Sequence, residues 1–223
     1  MSALLEARDV GKRFPDGTAD GVRALDGVTL SIERGAFTLV EGPSGSGKTT
    51  LLAILGTLER PTAGAVAVDG VDPAGLGEAG RSLLRRRFGF AFPGGALVPR
   101  LPLWENVTLG LVPRGHAVAD RRDRAAALLE RVGLTAKLRA PGETLSSGEL
   151  QRALVARALV GDPEILVVDE PLANLDPSAR DRLVALLREF HVGGGTVLAT
   201  SHVDGAFPFA TTTFRLEAGH LAG

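Results

Sequence analysis

The sequence contains no cysteine. That excludes a disulfide framework, thiolate nucleophiles and thiolate metal sites, and it fits a cytosolic setting. No apolar run approaches the length of a membrane span, and the opening MSALLEARDV meets charge too early for a signal-peptide core, so a soluble chain is expected. An excess of either charge is missing too, with 25 Lys and Arg against 26 Asp and Glu. Without a net field, nothing steers the chain towards nucleic acid or an anionic membrane, and no nucleic-acid partner is expected. Long repeats, heptads and low-complexity tails are absent as well. His116, His191 and His220 form no metal-ligand cluster with one another at a recognisable spacing. Glutamine occurs once, at Gln151.

What is present is a chain of 223 residues, 44% hydrophobic, long enough to bury a sizeable core. Residues 4–14 and 25–33 read as short strands around the turn-rich PDGTADG, and AFTLVEG as a buried strand. KTTLLAILGTL has helical length and spacing. Helix candidates at 78–87, 121–132 and 149–161 follow, then the apolar strand EILVVDE, a helix over about 178–190, the strand GTVLATSH and a short TTTFRLEAGH. The pattern predicts an α/β core interrupted by a helical lobe over approximately 95–160.

The strongest local signal is GPSGSGKT, Gly42 to Thr49, which satisfies the phosphate-loop pattern Gly-x4-Gly-Lys-Ser/Thr between a strand and a helix. Gly42, Gly45 and Gly47, spaced by Pro43, Ser44 and Ser46, let backbone amides surround phosphate oxygens, and the helix opening at Lys48, Thr49 and Thr50 adds its positive end. Lys48 is placed to bridge the β and γ phosphates and Thr49 to coordinate Mg2+. A flexible glycine loop before an ordinary helix is the alternative. In ILVVDEP, four apolar residues deliver Asp169 and Glu170 to a strand end, the first as a magnesium ligand and the second to orient or deprotonate water. A surface acidic pair is the bland alternative. His202, after another strand, is either within reach of a γ phosphate or an ordinary histidine. In LSSGELQRALVARALVGDP, Leu150, Ala153, Leu154 and Ala158 share a helical face. Ser146 and the Gly148 amide stand at that helix start, as an anion site or a cap without ligand.

Taken together these residues resemble the ATP-binding cassette family. GPSGSGKTT, LSSGELQR, ILVVDEP, LANLDP and ATSH occur in that family's order across essentially the full chain. The resemblance implies a P-loop NTPase core of α/β class, with an N-terminal antiparallel β part and a helical signature subdomain, all within one ATP-binding domain over residues 1–223. It implies ATP with Mg2+, held between two cassettes facing head to tail, identical or related. Ser146 and Gly148 would then meet the partner's γ phosphate, and Asp176 would help join the two sites. EGPSGSGKTTLLAILGTLERPTAGAV and LPLWENV look like the ATPase subunits of lipoprotein-releasing and macrolide-export systems. That narrower likeness implies an integral-membrane permease partner and a peripheral place on the cytoplasmic side of the membrane. Phe14 falls where the family stacks an aromatic ring on adenine, with a place in the apolar core as the alternative.

The chain also departs from the pattern. Ser147 and Glu149 replace residues usual in the signature. Val203 intervenes before Asp204, which weakens any role for Asp204. The largest departure is Pro93, which stands where the family has a glutamine sensing magnesium and water. Proline offers no side-chain donor or acceptor. ATP binding is therefore expected to survive while hydrolysis is slow, rewired or partner-dependent. Competing expectations are a nontransport cassette ATPase acting in division or repair, and a regulatory nucleotide-binding module with little turnover.

Overall fold

A computed structural model describes residues 3–15, 21–202 and 205–222. The centre of the expected PDGTADG turn, residues 16–20, lies outside them, as do Val203 and Asp204. The fold is built on a six-stranded sheet, ordered β5(Phe88–Ala91), β6(Ile165–Val168), β7(Thr196–Ser201), β3(Phe37–Glu41), β8(Thr212–Glu217), β9(His220–Ala222). All neighbours pair in parallel except the β8–β9 hairpin. A separate three-stranded antiparallel sheet has the order β2(Val22–Glu33), β1(Ala3–Phe14), β4(Ala63–Val68).

Strand alternation divides the interior in two, because successive side chains leave opposite faces of a sheet. Val40, Ile165, Val167 and Leu198 face a core shared with the antiparallel sheet and α1(Lys48–Leu55). Leu39, Leu166, Val168, Val197 and Ala199 face the other core, with α5(Ser147–Leu159) and α6(Pro177–Val192). Strands buried on both faces must read as unbroken apolar runs, which explains ILVV at 165–168. Each fully buried aliphatic side chain there contributes about 1.5–3 kcal/mol over an exposed one. Arg34 and Arg87 each contact both Asp69 and Glu164, tying the ends of the two sheets together.

After β4 comes α2(Glu78–Arg85), and between β5 and β6 the chain forms α3(Leu103–Thr108), α4(Val118–Arg131) and α5. The capping box of α5 is complete: the Glu149 amide donates to Ser146 Oγ at 3.3 Å, and the Ser146 amide donates to Glu149 Oε2 at 2.9 Å. Its apolar face is wider than the sequence spacing predicts. Val155 and Ala156 are buried along with Ala153, Leu154 and Ala158, because α5 lies between the sheet and the helices α3 and α4. Short α3 draws its place from tertiary bonds. Buried Asn106 accepts from the Val98 amide at 2.7 Å and donates to the carbonyls of Val98 and Leu101.

Candidate functional site

The phosphate loop leaves β3 and enters α1 with backbone that needs glycine. Gly47 has φ 103°, and a Cβ there would lie 2.3 Å from the Ala24 carbonyl oxygen. No side chain caps α1, so its first-turn amides, which have no intrahelical acceptor, face the loop. Lys48 Nζ donates to the carbonyls of Gly42 at 2.7 Å and Pro43 at 3.0 Å, and lies 3.7 Å from Glu170 Oε1. Ser46 is buried, and among the described residues its Oγ has no hydrogen-bond partner. A buried orphan hydroxyl inside a phosphate loop fits an oxygen-rich anion.

Beside the loop, β6 ends at the acidic pair. Asp169 is 1% exposed, and its two oxygens accept from two hydroxyls: Oδ2 from Thr49 at 2.6 Å and Oδ1 from Thr200 at 2.5 Å. Glu170 sits at φ 47°, in the left-handed region that non-glycine residues seldom adopt. Its Oε2 lies 2.7 Å from His202 Nδ1, and its amide donates to Thr200 Oγ1 at 2.8 Å. The paired oxygens of Thr49 and Asp169 are hard ligands of the kind magnesium takes. Among the described residues no group of three His, Cys, Asp or Glu side chains is arranged to hold a metal. An ion at Thr49 and Asp169 would thus complete its shell with phosphate oxygens and water, as Mg2+ does.

Phe14, Ser44, Gly45, Gly47, Lys48, Thr49, Thr50, Asp169, Glu170 and His202 line one cleft of about 500 Å3, together with Val22, Arg23, Ala24 and Pro93. Phe14 is 37% exposed and belongs to neither core, and Lys12 Nζ lies 4.8 Å from its ring centroid. Lys12 is fixed in turn by Glu59 and the Arg60 carbonyl. Gly42, Pro43 and Ser46 belong to the same loop without lining the cleft, and Ser146, Gly148 and Asp176 do not line it either. Ser146 caps α5, and Gly148 packs beside the Asn174 carbonyl, which a Cβ would approach to 3.1 Å. Asp176 caps α6, accepting from the Ala179 amide at 2.9 Å.

Pro93 occupies the second position of a turn closed by a hydrogen bond from the Gly95 amide to the Phe92 carbonyl at 3.1 Å, with Gly94 at φ 76°. That is the chemistry of a type II turn, which takes proline and then glycine at its centre. Gln151 does not fill the gap in the cleft: its Nε2 lies 3.5 Å from the Glu170 carbonyl, at the limit of hydrogen bonding. Sequence reasoning overlooked Thr200 and the start of β2. The signal for Thr200 was a hydroxyl near the end of the buried strand TVLATS, two residues before His202.

The family described as ABC transporter matches residues 25–173. An ABC transporter ATP-binding protein of Thermotoga maritima is 38% identical, covering 100% of this chain and 95% of its own length. The lipoprotein-releasing system ATP-binding protein LolD 1 of Caulobacter vibrioides is 38% identical, with 99% and 95% covered. The macrolide export ATP-binding/permease protein MacB of Hyphomonas neptunium is 42% identical over 89% of this chain, which spans only 31% of that longer protein. A solved ATP-binding cassette, described as a dimer in a post-hydrolysis state bound to ADP and Pi, matches with TM-score 0.93 and 32% identity, covering 98% of this chain and 97% of its own.

Proposed function

This chain belongs to the ATP-binding cassette family of ATP-hydrolysing transporter subunits, and on that premise we propose that its cleft binds ATP with Mg2+ and hydrolyses the γ phosphate to drive a separate integral-membrane permease. The observation that carries this is the convergence, in one cleft, of Lys48, the Thr49–Asp169 hydrogen bond and the Glu170–His202 pair. Lys48 leaves the Gly42 and Pro43 carbonyls for the β and γ phosphates, exchanging two neutral acceptors for charged ones. The amides of Gly45 and Gly47 and the first turn of α1 surround the phosphate oxygens. Thr49 and Asp169 hold Mg2+, which neutralises charge on the phosphates when bound. Glu170 orients the attacking water and accepts its proton, and His202 steadies that carboxylate and reaches towards the γ phosphate.

Ser146, Gly148 and Asp176 lie outside the cleft lining. We assign them to a second cassette's nucleotide, so that two copies or related chains close on ATP head to tail. The solved cassette described as a dimer bound to ADP and Pi supports the pairing of two cassettes. For the permease, the groove lined by Phe88, Phe90, Leu111, Arg114, Arg157 and Pro163 is the surface we assign. Arg114 and Arg157 donate there to main-chain carbonyls, and among the described residues neither pairs with a carboxylate. Such a groove suits an acidic, amphipathic segment of the partner. Among the described residues no helix is long and apolar enough to cross a membrane; we assign the chain a peripheral place on the cytoplasmic side through its permease partner. Pro93 favours a second reading, a nucleotide-binding regulatory module with little turnover.

Purification in mild detergent, followed by an ATPase assay of the complex, tests partner and turnover together. Co-purification of a permease with ATP-dependent phosphate release is the expected result. A partnerless chain that does not release phosphate would reject the transport reading.

A further inference from the structure

We propose that Thr200 is a positioning residue for ATP hydrolysis, fixing Asp169 and Glu170 through one hydroxyl; this rests on the roles assigned to that acidic pair above. Thr200 is fully buried and does not line the nucleotide cleft. It stands on β7 one residue past Ala199, the last residue paired with β6. Asp169 likewise follows Val168, the last residue of β6, so the two side chains meet where the strands stop pairing.

An ionised aspartate only accepts hydrogen bonds, so the Thr200 hydroxyl must donate to Asp169 Oδ1, at 2.5 Å. Its lone pair is then left for the Glu170 amide, at 2.8 Å. The two bonds have one consistent direction, from the Glu170 amide through the hydroxyl to the Asp169 carboxylate. With Thr49 already on Oδ2, both Asp169 oxygens are occupied and the carboxylate cannot rotate freely. Glu170 holds left-handed backbone at φ 47°, a conformation that persists only where surroundings hold it. A bond to the amide of that same residue is such a hold, and it aims the carboxylate at His202. Threonine suits the task because its branched β carbon restricts χ1.

The discriminating variants are Thr200→Val, which keeps the shape and removes the hydroxyl, and Thr200→Ser, which keeps the hydroxyl. Steady-state phosphate release, binding of a fluorescent ATP analogue with and without Mg2+, and thermal melting are measured on each. For Thr200→Val we expect kcat to fall at least tenfold, KM and metal-free analogue binding to stay within about threefold, and the Mg2+ concentration for half-maximal binding to rise. Thr200→Ser should recover to within about threefold of wild type on every readout.

Wild-type kcat and Mg2+ dependence in Thr200→Val would overturn the proposal. So would a serine variant as damaged as the valine one, since that marks a packing role. If the valine variant does not fold, Thr200→Ala takes its place against Thr200→Ser. A wild-type chain without turnover even in complex with its permease would refute the hydrolytic reading instead. Thr200 is then judged on Mg2+ dependence alone, and an unchanged value in the valine variant overturns it.

Discussion

Replacing Pro93 by glutamine should speed ATP hydrolysis. The side chain at 93 borders the cleft that holds Lys48, Thr49, Asp169 and Glu170, and proline offers it no polar group. One added contact to the attacking water or the metal is worth about 1–3 kcal/mol. At about 1.36 kcal/mol per tenfold, kcat should rise about 5- to 160-fold. The turn survives, because the Gly95-to-Phe92 hydrogen bond and the φ of 76° at Gly94 do not depend on residue 93 being proline. Loss of the ring frees the unfolded chain, which costs about 0.4–1 kcal/mol and lowers Tm by about 1–4 °C. Phosphate release at saturating ATP is compared for wild type, Pro93→Gln and Pro93→Ala, with a thermal melt of each. The alanine variant, lacking the amide, should show no gain. An unchanged rate in a folded Pro93→Gln variant would refute the claim that a polar contact is missing here.

Gly47→Ala places a Cβ 2.3 Å from the Ala24 carbonyl oxygen at φ 103°. It should destabilise the fold by more than about 1 kcal/mol and weaken ATP binding, read by melting and by fluorescent-analogue titration. Phe14→Ala should weaken ATP binding about 2- to 13-fold, the equivalent of about 0.5–1.5 kcal/mol of ring stacking, and leave inorganic triphosphate binding unchanged in calorimetry. Glu149 accepts from the Ser146 amide, which holds its carboxyl below the ordinary value of 4.5, with Lys137 adding to the effect. Its stabilising contribution is therefore full above that pH and is lost as pH falls through the lowered folded value. Glu149→Gln should flatten the acid limb of a stability-against-pH curve.

The phosphate loop, the acidic strand end and the long helices were legible because each is fixed by local sequence. The glycine spacing of GPSGSGKT, the apolar run before Asp169 and the Ser146 cap act within a few residues. Features made by distant parts of the chain were harder to read. Six-residue α3 has no periodicity to detect, and is held by Asn106 bonds to a preceding loop. Burial of Val155 and Ala156 depends on helices packing against α5 from the side away from the sheet. Thr200 reaches Asp169 only because β6 and β7 are neighbours, though they are separated in sequence by α6. The loss of the usual glutamine followed from the family resemblance, which puts Pro93 at that position, and from Gln151 being the chain's one glutamine, whereas the turn that accommodates proline and glycine needed the backbone angles.

The central claim, that this cleft hydrolyses ATP with Glu170 acting on the attacking water, is met most directly by Glu170→Gln. Steady-state phosphate release should fall about 10²- to 10⁴-fold relative to wild type while ATP binding is retained, and ATP should shift the variant to a larger species in gel filtration. Wild-type turnover in that variant would contradict the account.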